Sequence, residues 1–304
     1  MPSKKQGVSY IKVSSAHAGQ RIDNFLFREY KSMPKSHIYR IIRSGELRVN
    51  GGRVKPSHKL AAEEQIRMPP LVYTASVPPR LLSADVETLS ERIVYEDDEL
   101  LVIDKPAHLA VHTGTAHSFG LIDLLKHKYP RNDIGLVHRL DKDTSGCLVV
   151  AKSREVLLRL QKLFRDSQVE KIYQALVVGH WQQPRRVSMP LRRVAQKQTV
   201  ADNGYYAATD FSVIRLFKDY SLMSVSLITG RTHQIRVHAA SCGHPVAGDK
   251  KYGDFANNRK LMQLGLKRIF LHADSISFNW NTKALSFETP LPNDLQKLID
   301  QLEG

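Results

Sequence analysis

The run His138-Arg139-Leu140-Asp141-Lys142-Asp143-Thr144-Ser145-Gly146 is a polar loop between two short strand-like segments, 135–138 and 146–151. Loops held by rigid strands are where reactive groups concentrate. In this one Asp141 lies among cations, with Arg139 and Lys142 within two positions. Nearby positive charge favours an ionised carboxylate, which can act as nucleophile or base. An ordinary turn, whose Asp and Ser bond the backbone, explains the same residues. The loop by itself does not separate the two.

Outward from the loop the chain is rich in strands with helices interspersed. Residues 100–104 form a short apolar strand ending at Lys105-Pro106. Val156, Leu160, Leu163 and Phe164 recur at helical spacing, which predicts an amphipathic helix over 155–166. Segments 171–178 and 222–228 are strand-like, and 231–242 is expected to be a helix burying Ile235, His238, Ala239 and Cys242, closed by Gly243 and Pro245. Helices and strands do not alternate strictly, so the pattern predicts an α+β fold rather than a doubly wound one.

That last helix belongs to a second constellation, Thr229-Gly230-Arg231-Thr232-His233-Gln234-Ile235-Arg236-Val237-His238, with Arg231 at the expected helix start. The helix dipole is positive there and disfavours a cation. Arg231 therefore calls for a buried carboxylate or a phosphate as partner, unless it is simply exposed at a screened surface.

Nearer the start, 1–17 reads as a flexible basic tail and 18–80 as a small domain. Ile22, Phe25 and Leu26 mark a first helix, and Ile38, Ile41 and Ile42 mark a second, with Tyr39, Arg40 and Arg43 beside that apolar face and Gly45 at its stop. Leu47-Arg48-Val49 is a strand, Asn50-Gly51-Gly52 a hairpin turn, Val54 the start of the return strand, and 65–68 a further strand. Pro69-Pro70 and Pro78-Pro79 punctuate a linker over 69–88. Residues 81–304 are expected to form the larger domain.

The chain carries 45 Lys/Arg against 30 Asp/Glu, a net charge of +15. Residues 1–80 hold 15 of those cations and 5 of the acids, so a net of +10 sits in about a quarter of the chain. A compact basic module attracts polyanions, nucleic acid above all. Two cysteines, Cys147 and Cys242, suit small buried thiols in a reducing cytoplasm. No apolar run reaches the roughly 18 residues of a membrane helix, and the first ten residues lack the apolar centre of a secretory signal. Neither a membrane nor a metal is expected as a partner. His112 with His117 and His233 with His238 are each five apart, not the four that stacks two ligands on one helix face. A glycosidase pair made of Asp141 and Asp143 is also disfavoured, because the surrounding arginines suit RNA better than a neutral sugar.

Segments 138–146 and 230–238 closely resemble two signature segments of the RluA family of pseudouridine synthases. Lys171-Ile172-Tyr173-Gln174-Ala175 is similar to that family's tyrosine segment, and Asp104-Lys105-Pro106 with Val111-His112 to its opening motif. Segment 243–249, Tyr252-Gly253 and Phe270-Leu271-His272-Ala273 continue the likeness, in order, from about 93 to 292. The resemblance implies a catalytic domain with a central, mainly antiparallel sheet and a redox-neutral isomerisation of uridine that needs no cofactor. It implies Asp141 as the essential carboxylate, Arg231 as the cation paired with it, and Tyr173 stacked on the uracil. Leu271 would be an apolar floor beneath the base, and Arg139 would fill the gap the base leaves. His138, Thr144, Lys171 and Gln234 would also lie against the substrate.

The small domain is similar to an RNA-binding module of a small-subunit ribosomal protein and some tRNA synthetases. Lys35, Ser36, Tyr39, Arg40, Arg43, Arg48 and Lys55 would meet RNA there. Gly179-His180-Trp181 and Tyr252-Gly253-Asp254 resemble the branch of the family that acts on large-subunit (23S) ribosomal RNA. The same chemistry on tRNA, and a non-catalytic ribosome-assembly factor, are the alternatives. A monomer is the default.

Overall fold

The computed structural model describes residues 4–30, 33, 35–73, 88–111, 120–195 and 197–303. The chain divides into two compact units, Met1–Arg80 and Leu81–Gly304. The expected linker falls mostly outside the described residues, as do His112 and His117.

The first unit runs β1 (Lys4–Gln6), β2 (Ser9–Lys12), α1 (Ile22–Glu29), α2 (Lys35–Ser44), β3 (Arg48–Val49), β4 (Gln65–Met68) and β5 (Leu71–Tyr73). Strands β2, β4 and β3 make an antiparallel sheet, and β1 pairs with β5. Ile22, Phe25 and Leu26 of α1 and Ile38, Ile41 and Ile42 of α2 close one core with Val49, Ile66 and Met68. Two expectations are corrected. Residues 9–13 of the expected tail are not free, because Ile11 lies opposite Ile66 in the sheet and Val13 is fully buried. Apolar residues two apart point to one face of a strand, and here that face is the core. Nor does a strand return from Val54. Asn50 (φ 48°) and Gly51 (φ 77°) do make a tight turn of the type I′ kind, with Val49 and Gly52 exchanging backbone bonds of 3.0 and 2.8 Å. The chain then detours along the start of α1, where Ile22 N–H donates to His58 O at 2.8 Å, and β4 supplies the partner of β3.

The second unit continues with β6 (Ile93–Glu96), β7 (Leu100–Lys105), α3 (Leu121–Lys128), β8 (Gly135–Leu136), β9 (Ser145–Ala151), α4 (Arg154–Arg165) and β10 (Val169–Val178). Then come β11 (Arg185–Ser188), β12 (Leu191–Val194), β13 (Lys197–Val200), β14 (Ala208–Leu216), β15 (Tyr220–Leu227) and α5 (Gln234–Ser241). It closes with α6 (Phe255–Gln263), β16 (Leu271–Trp280), β17 (Lys283–Glu288) and α7 (Asn293–Glu303). Ten strands form one sheet in the order β11-β14-β15-β10-β16-β9-β7-β6, with β17 beside β16 and β8 beside β9. Every pairing is antiparallel except β9 with β16. The fold is α+β, with a mainly antiparallel sheet.

Strand β9 is buried along its whole length. Leu148 and Val150 enter one apolar cluster, while Cys147, Val149 and Ala151 enter the cluster covered by Val156, Leu157 and Leu160 of α4. Helix α4 starts where Ser153 Oγ accepts from Val156 N–H at 3.3 Å, a side-chain cap that satisfies one orphan donor of the first turn. At the parallel seam Gly146 (φ +111°) faces Ala273, and a Cβ there would lie 2.1 Å from the Ala273 carbonyl oxygen. Only glycine allows that approach. Cys147 is buried as expected, whereas Cys242 is half-buried past the end of α5.

Helix α5 begins at Gln234, three residues later than its periodicity suggests. His233 stands before it in the left-handed conformation (φ 55°, ψ 20°), and Gln234 N–H bonds Arg231 O at 3.2 Å. Residues 229–233 are thus a loop, and the first helical turn carries Arg236. Among the described residues no helix is long and apolar enough to cross a membrane.

Candidate active site

The loop between β8 and β9 is held from beneath. His138 Nε2 accepts the Val149 N–H at 3.0 Å, and its ring stacks on Phe164 with centroids 4.8 Å apart. Burial, with Lys171 nearby, pushes the imidazole down to about 3, so it is neutral and free to accept. Lys105 is fully buried and donates to three carbonyls, Pro106 O at 2.8 Å, Leu109 O at 3.0 Å and Lys142 O at 3.1 Å. Burial lowers that amine to about 7. Thr144 N–H closes the turn onto Asp141 O at 3.1 Å. Ser145 Oγ lies 2.9 Å from His272 Nδ1 and accepts from Arg268 at 3.2 Å. The loop presents two carboxylates, Asp141, 27% exposed, and Asp143, which lies 2.9 Å from His108 Nδ1.

The cation that meets Asp141 is Arg236, not Arg231. Arg236 Nη1 donates to Asp141 Oδ2 at 3.0 Å, while Nε and Nη2 grip Asp249 at 2.7 and 2.8 Å. Burial opposes the Asp249 charge, but the Arg236 bonds and the N–H groups of Lys251 and Tyr252 outweigh it and hold that carboxyl below the usual range. A cation in the first turn of α5 does pair with carboxylates, but the left-handed turn at His233 delays the helix and turns Arg231 away. Arg231 instead donates from Nε to Tyr206 O at 3.1 Å and lies over the Tyr205 ring at 5.4 Å.

His233 also belongs to the site. Its Nε2 is 3.7 Å from Asp141 Oδ2, and its Nδ1 is 2.8 Å from the Tyr252 hydroxyl. That hydroxyl accepts the Gln198 N–H at 2.9 Å and can give its own proton to Nδ1 when that nitrogen is unprotonated. In that tautomer the imidazole proton is on Nε2, the nitrogen facing Asp141. Burial depresses the His233 ring most; Arg236 and Lys251 add to this and Asp141 opposes it. A non-glycine residue held left-handed beside a reactive group is strain at a functional position. Arg236, Asp249, His233 and Tyr252 have no assigned catalytic role in the sequence reading. The signal that points to Arg236 is the helix-start argument itself, applied one turn too early.

Above Asp141 opens a cavity of about 680 Å³. It brings together Asp141, Tyr173, Leu271, Lys171, Thr144, Arg139, His138 and Gln234 of the expected residues, with Arg231 also on its wall. Tyr173 is 7% exposed, and burial, then the Asp141 charge, raises its hydroxyl above the usual range, so it presents a neutral ring. Lys171 is buried and lowered by burial. Gln234 is spoken for. Its Oε1 accepts from Arg231 N–H and Thr229 Oγ1, and its Nε2 donates to Ala208 O and Thr209 Oγ1. It shapes the wall and has no free polar capacity for substrate. On the other side of Asp141 a second cavity of about 760 Å³ is lined by Arg139, Lys142, Lys197, Lys250, Lys251 and Lys267 among others. Both volumes lie within the roughly 300–1,000 Å³ of ligand pockets.

In the first unit Ser36, Arg40, Arg43 and Lys55 are exposed, and Tyr39 and Arg48 half-exposed. Tyr39 packs edge-on to Phe27 with Arg43 over its ring at 5.6 Å. The side chain of Lys35 lies outside the described residues.

The RNA pseudouridylate synthase family matches residues 99–241, and the S4 domain matches residues 20–66. The chain is 42% identical to the ribosomal large subunit pseudouridine synthase C of Vibrio cholerae, over 97% of both chains. It is also 42% identical to the protein of that name from Pasteurella multocida, over 98% of this chain and 94% of the other. Among solved structures it is similar to human RNA pseudouridylate synthase domain containing 4, with a TM-score of 0.62 and 27% identity over 72% of this chain and 96% of that one.

Proposed function

The chain belongs to the RNA pseudouridylate synthase family, and we propose that it isomerises uridines of large-subunit (23S) ribosomal RNA, with Asp141 as the catalytic carboxylate. The observation that carries this reading is the Asp141 carboxylate, gripped by Arg236 at 3.0 Å, at the meeting of a base-sized cavity and a lysine-lined one. Relatives covering nearly the whole chain carry the large-subunit name, and an S4 domain with an exposed basic helix accompanies the catalytic unit.

The reaction breaks the bond between uracil and ribose and rejoins the ring through carbon. No electrons leave or enter, so the protein has to place charge and move protons. The target uridine first leaves its stack, at a cost of a few kcal/mol. Its ring lies between the Tyr173 face and the Leu271 side chain, with Asp141 at the sugar edge. Attack on the sugar, attack on the base and removal of a ribose proton all start from the same ionised carboxylate in the same place. Arg236 aims it and Asp249 keeps Arg236 in position. Arg139, exposed at the rim of both cavities, fills the space the base leaves, since a planar guanidinium can both stack and hydrogen-bond. Thr144 and Lys171 line the base cavity, and His138 supports the loop from below. In the S4 unit Ser36, Tyr39, Arg40, Arg43, Arg48 and Lys55 contact RNA phosphates and set the register.

The test maps pseudouridines at nucleotide resolution in protein-free large-subunit rRNA from a strain lacking the enzyme. Sites formed by wild type and not by Asp141→Asn support the reading. No sites with either protein, despite equal rRNA binding, would turn the reading to tRNA or to an assembly factor.

A further inference from the structure

Arg231 loses its expected role at Asp141, yet it lines the same cavity, and its surroundings are unusual. Tyr205 is 73% exposed and Tyr206 60% exposed. Large rings left this open are a departure from burial that invites a functional account. Tyr205 is not on a loose loop. Its N–H and C=O both bond Leu191 at 2.9 Å. Gly204 lets the two segments approach so closely that a Cβ there would sit 2.7 Å from the Leu191 backbone. The ring is thus exposed on a pinned backbone.

Arg231 is fixed as firmly. Its N–H donates to Gln234 Oε1 at 3.0 Å and its Nε to Tyr206 O at 3.1 Å, which leaves the guanidinium over Tyr205 at 5.4 Å. Among the described residues no carboxylate pairs with it. An unneutralised guanidinium and an open aromatic face, side by side and pre-ordered, match what a nucleobase and its phosphate present.

We propose that Tyr205 and Arg231 form a stacking subsite for one unpaired RNA base immediately next to the target uridine, with Tyr206 flanking it. The proposal rests on the reading that the Asp141 cavity takes a uridine from RNA. It assigns this rim to the neighbouring nucleotide, so it governs which sequence contexts bind well rather than the chemical step. The favoured neighbour is a purine, whose larger ring system covers more of the platform.

The probe is a short large-subunit rRNA hairpin with one unpaired uridine in its loop, with fluorescent 2-aminopurine on the 5′ side of that uridine in one version and on its 3′ side in another. Wild type is expected to quench one of the two on binding. Tyr205→Ala should abolish that quenching and Tyr205→Phe should keep it. Tyr205→Ala should raise KM by about tenfold and leave kcat within about twofold. An abasic nucleotide at the quenched position should make wild type and Tyr205→Ala equal in KM. Arg231→Lys, which keeps the charge and loses the plane, should fall between them. Equal quenching by Tyr205→Ala and wild type, or a fall in kcat at constant KM, would overturn the proposal. Quenching requires no turnover. If neither the rRNA nor the hairpin is ever converted, Tyr205-dependent quenching would sink the rRNA reading and leave the base subsite standing; conversion without Tyr205-dependent quenching would do the reverse.

Discussion

Arg236 holds Asp141 and Asp249 with one guanidinium, the first at 3.0 Å through Nη1 and the second at 2.7 and 2.8 Å through Nε and Nη2. The Asp249 side chain is fully buried and that of Asp141 is 27% exposed. The buried acid therefore anchors the arginine, and the arginine aims the exposed acid. A planar fork can do this; a single ammonium cannot reach both.

Asp141→Asn should keep the melting temperature and reduce kcat by at least about a thousandfold, in line with loss of a principal catalytic group. Arg236→Ala should be inactive and also destabilised by about 3–5 kcal/mol, because it strands the buried Asp249 charge. Pairing Arg236→Met with Asp249→Leu should recover much of the stability and none of the activity. Calorimetry beside single-turnover assays separates the two effects. Activity in the double variant would refute the aiming role.

With the His233 proton on Nε2, the Tyr252 hydroxyl is the donor to Nδ1. Tyr252→Phe removes the donor to Nδ1, so the ring becomes easier to protonate and its pKa rises. Arg236 and Lys251 oppose that charge, while Asp141 and Asp249 favour it. As pH falls, the imidazolium forms beside Asp141 and competes for its lone pairs. The variant should show an acid limb in kcat/KM below about pH 6.5 that wild type lacks. The limb should vanish in Tyr252→Phe with His233→Gln. A pH profile of all three proteins decides it, and a persistent limb would exclude His233 as its source.

Burial lowers four histidines of the catalytic unit, His138, His233, His238 and His272. Their folded pKa values lie below the unfolded one of about 6.5. Between those values the unfolded chain binds more protons, so stability is full above about pH 6.5 and is lost as pH falls through the window. For His138 the window extends down to about 3. Melting temperature should decline steadily from pH 7 to pH 5. His138→Gln, which preserves an acceptor for Val149 N–H, should flatten that slope while lowering stability at neutral pH. An unchanged slope would remove His138 from the account.

Gly146→Ala is expected to be among the most damaging small substitutions. The added Cβ would meet three backbone atoms of Ala273 at 2.1 to 2.7 Å, at a φ of +111° that L side chains rarely adopt. The parallel seam between β9 and β16 would have to open next to the catalytic loop. Loss of soluble protein, or a fall in melting temperature of about ten degrees or more, is the expected result. A stable, active variant would show that the seam is softer than its geometry implies.

Wherever one element's own periodicity decides, the sequence is informative. The apolar spacing of 156–164 announces α4, the Asn50-Gly51 pair announces its turn, and the loop of Asp141 stands out between two apolar strands. The residues around Asp141 drew attention to one another through their order along the chain, and the cavity does unite Asp141, Tyr173 and Leu271. The sequence pointed to Arg231 as the partner of the carboxylate, and Arg236 is the residue that reaches it. Arg231 and Arg236 share one segment, and only the observed helix start at Gln234 puts Arg236 in the first turn. The choice is made by a single left-handed residue, His233, which starts the helix three residues late and sends Arg231 outward to Tyr205. Backbone sign at one position is not encoded in a hydrophobic pattern. Nor is the distance between Asp141 and Asp249, 108 positions apart, which only the folded chain brings to the two sides of one guanidinium. Local periodicity determined the elements and the reactive loop; long-range packing decided the partners of the carboxylate.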